Sequence, residues 1–78
     1  MKITKNFKEH LILLGKHIQT IRKNKNISLQ DLSKKTQIRI EYLKKIEKGE
    51  AYGVRIGRHI YNIALSLEVS LYELFDYL

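Results

Sequence analysis

Apolar residues in the first third of the chain recur at helical steps: Phe7, Leu11, Leu14, Ile18 and Ile21 are separated by four, three, four and three positions. That is the spacing of one helix face, and it predicts a helix over about 6–24 that frays through Lys23-Asn24-Lys25-Asn26. Ser28, with Asp31 three residues on, opens a second helix in the manner of a capping box, although Asp is a poorer third-position partner than Glu. Leu29 and Leu32 supply its inward face, and it should stop near Thr36. A third helix is predicted from about Arg39 to Lys48, with Tyr42, Leu43 and Ile46 inward and Gly49 as its C-cap. After a loop to about residue 54, a fourth carries Ile56, Ile60, Ile63, Ala64 and Leu67. Ser70-x-x-Glu73 is a better capping box, opening a last helix with the stripe Leu71, Leu74, Phe75 and Leu78. Nothing alternates at period two for long enough to make a strand. Five helices with short connections predict an all-α bundle.

Length and composition narrow the setting. Seventy-eight residues predict a single domain over 1–78 whose folding hides only about 60% of the unfolded surface, with residues 1–5 as an N-terminal arm. Without Cys, neither a disulfide framework nor a cysteine zinc site is available, which suits a reducing compartment. No apolar run approaches the roughly 18 to 20 residues of a membrane span. Met1-Lys2-Ile3-Thr4-Lys5-Asn6 does not lead into a signal-peptide core. The expectation is a cytoplasmic domain that does not engage a membrane.

Charge is distributed unevenly. The chain holds fifteen Lys and Arg against eight Asp and Glu, a net +7. Residues 1–58 carry all fifteen bases and five of the acids, hence +10, while residues 59–78 carry only Glu68, Glu73 and Asp76, hence −3. A polyanion would dock on the first part and avoid the second. A chain rich in Lys, Asn and Ile is also what an AT-rich genome encodes, so charge alone leaves nucleic acid and composition bias both open.

Two short helices joined by a three- or four-residue turn have the geometry of a helix-turn-helix, a spacing that any helical hairpin shares. The residue types are more specific. Residues 14 to 49 read LGKHIQTIRKNKNISLQDLSKKTQIRIEYLKKIEKG. This resembles the Cro/C1-type (XRE) phage-repressor family, whose usual form is roughly LGxxIxxxRxxxxxSxxxLAxxxGVSxxYLSKIERG. Gly15, Ile18, Arg22, Ser28, Leu32, Ile38, Tyr42, Leu43, Ile46, Glu47 and Gly49 sit where that pattern places them, and residues 63 to 75 match the family's last two helices. The resemblance spans about residues 11 to 76. It implies a compact five-helix, lambda-repressor-like DNA-binding domain with the helix-turn-helix at helices 2 and 3. The implied protein is a transcriptional regulator, in the repressor sense, of prokaryotic, phage or plasmid origin and without a cofactor.

Roles follow residue by residue. With Leu43 and Ile46 inward, helical spacing sends Ile40, Glu41, Lys44, Lys45 and Lys48 outward. The resemblance implies that Arg39, Ile40, Glu41 and Lys45 read bases, with Lys44 flanking. The chemistry suits them: Arg or Lys donates to guanine, Glu accepts from cytosine N4, and Ile packs on a thymine methyl. A solvated face with i,i+4 pairing, Glu41 to Lys45, is the structural alternative. Phosphate contacts are implied for Ser28 Oγ and the amides of Leu29 and Gln30 at the start of helix 2, and for Lys48, Tyr52 and Arg55 after helix 3, with Lys25 beside them. Each of these is equally an ordinary cap or solvated charge. Arg22 and Glu47 are implied to form a partly buried ion pair tying helix 1 to the end of helix 3.

Three positions depart from the family pattern. Gln37 stands where the turn usually has Gly, so a left-handed conformation there carries strain. Arg39 replaces the usual Ser or Thr and cannot accept a capping bond. The loop after Gly49 is about two residues longer and lacks the common Pro. Relatives pair through their last helix, so Leu71, Leu74, Phe75 and Leu78 are expected in a homodimer interface, and a two-fold dimer would read an inverted repeat. The rival classes are weaker or overlapping. An enzyme has no Cys nucleophile, GxSxG or Walker loop to work with; His10 and His17 lie seven apart on one helix, too far to share a metal, and His59 stands alone. An antitoxin or protein-interaction module on the same fold, holding a toxin or co-regulator, fits the acidic, aromatic tail.

Overall fold

The computed structural model describes residues 6–51, 53 and 55–77. Helix α1 spans Phe7–Asn24, α2 Leu29–Thr36, α3 Ile40–Lys48, α4 Ile56–Leu67 and α5 Leu71–Leu74. Among the described residues there are no strands, and no helix is long and apolar enough to cross a membrane.

Local chemistry sets most of the boundaries. Asn6 accepts the amide of Glu9 while the Glu9 carboxylate accepts the Asn6 amide, a reciprocal box that starts α1. Ser70 and Glu73 start α5 in the same way. Ser28 makes only half of this arrangement, accepting the Asp31 amide at 3.0 Å, because the shorter Asp side chain does not return the bond. Gly49, in the left-handed region at φ 76°, ends α3.

The core is one cluster. Ile18, Leu32, Leu43, Ile63, Leu67 and Leu74 are its largest fully buried side chains, drawn from all five helices. At about 1.5–3 kcal/mol for each fully buried aliphatic side chain, this cluster is what opposes the entropy of ordering so short a chain. Helix α1 packs mainly on α3, and α2 packs on α3 and α4. The α1–α3 approach is close: a Cβ on Gly15 would run into the Ile46 and Glu47 backbone carbonyls.

Two expectations are corrected. Phe7 is 66% exposed, not part of the inward stripe, because the stripe becomes buried only from Leu11 onward. The last helix is a single turn that ends at Leu74 and gives way to a turn through Tyr77, so the anticipated stripe divides: Leu74 is fully buried while Leu71 and Phe75 are exposed. Leu78 and the proposed arm, residues 1–5, lie outside the described residues.

Candidate nucleic-acid interface

The turn between α2 and α3 is held by side chains. Thr36 Oγ1 donates to the Leu32 carbonyl at 2.7 Å and accepts the Ile38 amide at 3.1 Å. Ser33 Oγ donates to the Ile38 carbonyl at 2.6 Å, and Asn62 of α4 donates to the Thr36 carbonyl at 2.8 Å. Gln37 takes the left-handed conformation that the position requires (φ 65°). With these bonds in place, Ile38 drops into the core and α3 starts in a fixed direction.

Helix α3 then turns one face in and another out. Leu43, Ile46 and Glu47 are buried, whereas Arg39, Glu41, Lys44, Lys45 and Lys48 are exposed and Ile40 is half-buried. Arg39, Glu41, Tyr42 and Lys45 line one open notch of about 370 Å³, so three of the four residues expected to read bases share a single surface. Ile40 lies beside them on the first turn, and Lys44 flanks on the exposed face. Arg39 makes no side-chain capping bond, and the first intrahelical bonds, from the Tyr42 and Leu43 amides, both go to the Arg39 carbonyl. The leading end of α3 thus leaves backbone amides without a side-chain cap, with Arg39 at the N-cap and the acidic Glu41 in the first turn.

The residues expected to meet phosphate lie on separate elements. Ser28, Gln30, Lys25, Lys48 and Arg55 are exposed and Leu29 is half-buried. The Ser28 oxygen is engaged as a cap, and the amides of Leu29 and Gln30 precede the first intrahelical bond of α2, from the Leu32 amide to the Ser28 carbonyl. Tyr52 lies outside the described residues.

Behind this face sits the ion pair. Arg22 Nε donates to Glu47 Oε2 at 2.7 Å and Nη2 to Oε1 at 3.2 Å, a bidentate arrangement with both side chains buried. Nη1 donates to the Ile27 carbonyl at 2.8 Å, and Gln19 Nε2 to Glu47 Oε1 at 3.3 Å. All three guanidinium nitrogens are occupied by partners inside the protein. Gln19 and the Ile27 carbonyl belong to this cluster although no spacing rule singled them out; a polar residue three before Arg22 on the same helix face was the only available hint.

A second notch, of about 270 Å³, adjoins the first across Arg39 and Tyr42 and adds Gln37, Ile38 and His59. His59 is not isolated: its ring meets Tyr42 edge-on, with centroids 5.1 Å apart and planes at 62°. This contact joins α4 to α3 and is invisible to local periodicity.

Comparison with known proteins gives the same frame. The family described as a helix-turn-helix domain matches residues 15–77. This chain belongs to that family. The helix-turn-helix is the α2–turn–α3 unit, and the family is of the XRE-like helix-turn-helix type that the sequence resembles. Among solved structures, an HTH_3 family transcriptional regulator from Vibrio cholerae superposes with a TM-score of 0.79 at 22% identity, over 91% of this chain. The helix-turn-helix chain spans 39% of that regulator's length, so the likeness concerns the fold. Among curated proteins none matches.

Proposed function

We propose that the protein is a sequence-specific transcriptional regulator, acting as a repressor, that inserts α3 into the major groove of double-stranded DNA. The observation that carries this reading is the notch formed by Arg39, Glu41 and Lys45 at the uncapped, outward leading end of α3, with a buried hydrophobic and ionic frame behind it. Arg39, Glu41 and Lys45 read base edges, Ile40 packs on a thymine methyl, and Lys44 flanks them. Ser28, the α2 amides of Leu29 and Gln30, and Lys25, Lys48 and Arg55 clamp phosphates on either side. The exposed Leu71 and Phe75, with Tyr72 at 86% exposure, line an open groove on α5 and form the contact of a two-fold homodimer. Leu74 supports that surface from inside the core. Such a dimer reads an inverted repeat with half-sites about 34 Å apart.

The test is duplex affinity against salt concentration. Each phosphate neutralised contributes a log–log slope of about −0.9, so a steep fall is expected. A flat or absent response would reject the DNA reader and favour the protein-interaction module.

A further inference from the structure

Beside the notch assigned to base reading lies the second one, whose walls are Gln37, Ile38, Arg39, Tyr42 and His59. Its polar groups include the Gln37 amide, the Arg39 guanidinium and the His59 imidazole, and no carboxylate is among its lining residues. Helix α3, uncapped by any side chain, begins at this wall, so backbone and side chains present the same sign of charge. Arg39 lines both notches, so its guanidinium can read a base edge while the Gln37 and His59 side of this wall suits an anion.

His59 is held ready for it. Its ring is half-buried and braced edge-on by Tyr42 at 5.1 Å, and its amide donates to the Arg55 carbonyl at 3.1 Å in the first turn of α4. The charged and titratable groups around it are few. Arg39 shares the notch from the α2–α3 turn, and Tyr42 faces the ring from α3. Glu41 and Lys45 lie beyond the Arg39–Tyr42 wall, and Arg55 and Arg58 are exposed on its own helical turn. The end of α2 contributes Gln37, which carries no charge.

We propose that the Gln37 and His59 side of this notch binds one backbone phosphodiester of the DNA, beside the base contact made by Arg39, and that His59 does so as the imidazolium, making DNA binding take up a proton. This rests on the reading of α3 as a major-groove helix. An ordinary imidazole changes charge near pH 6.5, and a phosphate oxygen placed against it favours the protonated form. By linkage, whatever raises the imidazole's proton affinity in the complex must also tighten the complex as pH falls.

The experiment is a titration of a labelled mixed-sequence duplex at constant ionic strength, at about pH 8 and about pH 6. Wild-type affinity should rise about two- to sixfold on acidification over this interval, as a linked rise of a half to one unit in the imidazole's proton affinity gives. His59→Asn, similar in bulk but never charged, should bind at the pH 8 level throughout. His59→Lys, always charged in this range, should bind at pH 8 about as tightly as wild type does at pH 6. The His59 ring signals, followed by NMR, should titrate at higher pH with duplex bound than without it, a change that a purely packing role would not produce. His10 and His17, which face Tyr77 and the Glu73 carbonyl on α5, should not move. If His59→Asn keeps the wild-type pH response, the phosphate notch is refuted while duplex binding stands. If no duplex is bound at either pH, the major-groove reading falls, and the notch with it.

Discussion

Replacing Glu47 with Ala removes the partner of a guanidinium that has no other anion within reach of the bonds described. Arg22 is 7% exposed and would keep only its bond to the Ile27 carbonyl. Stranding one member of a buried pair costs about 3–5 kcal/mol. A chain of this length has a total stability of roughly 4–12 kcal/mol, so the change consumes a large share of it. At about 4–8 °C per kcal/mol for a domain of this size, the thermal midpoint should fall by roughly 12–40 °C. The assay is circular dichroism melting and urea unfolding of Glu47→Ala, Arg22→Met and the double variant Arg22→Met with Glu47→Leu. The double variant leaves no charge unpaired, so it should recover at least half of what Glu47→Ala loses, although the Ile27 carbonyl still forfeits a bond worth about 1 kcal/mol. A loss below about 1 kcal/mol for Glu47→Ala, or a double variant no better than that single change, would refute the account of the pair as a buried, mutually dependent unit.

Two other expectations concern the turn and the reading face. Gln37→Gly relieves a left-handed strain of about 1–2 kcal/mol. It also gives the unfolded chain more freedom, so a net gain of about 0.5–1 kcal/mol is expected in the urea midpoint. Lys45→Ala and Glu41→Ala should each weaken a selected operator by about 1–3 kcal/mol and blur preference at one base position, whereas Arg55→Ala should weaken all duplexes alike. Uniform losses from all three would overturn the division between base and phosphate contacts.

The helices were legible because their signals are local. The three-four step of Leu11, Leu14 and Ile18, the Ser70–Glu73 box and the Gly49 cap each depend on residues within a turn or two. Periodicity failed at the two ends. Phe7 continues the step pattern, but no other element among the described residues covers it, and Phe75 continues a stripe after the helix itself has stopped at Leu74. Spacing reports which residues share a face and says nothing of whether a neighbour exists to bury them. The reading face was legible by subtraction, since Leu43 and Ile46 inward leave Glu41, Lys44 and Lys45 outward. The partners of His59 and Glu47 were harder. Tyr42 lies seventeen positions before His59, and Gln19 twenty-eight before Glu47, so only the packing of separate helices brings them together.

Gly15, Gly49 and Arg22 have a joint consequence. All three fasten α3 to α1: bare backbone against the Ile46 and Glu47 carbonyls, bare backbone against Ile12, and a forked ionic bond to Glu47. None of these fastenings uses Arg39, Ile40, Glu41, Lys44 or Lys45. The address written on the outer face can therefore be rewritten by exchanging those side chains without disturbing the mount that aims it, so a library randomised at these positions should retain the parental fold while changing which operators it selects.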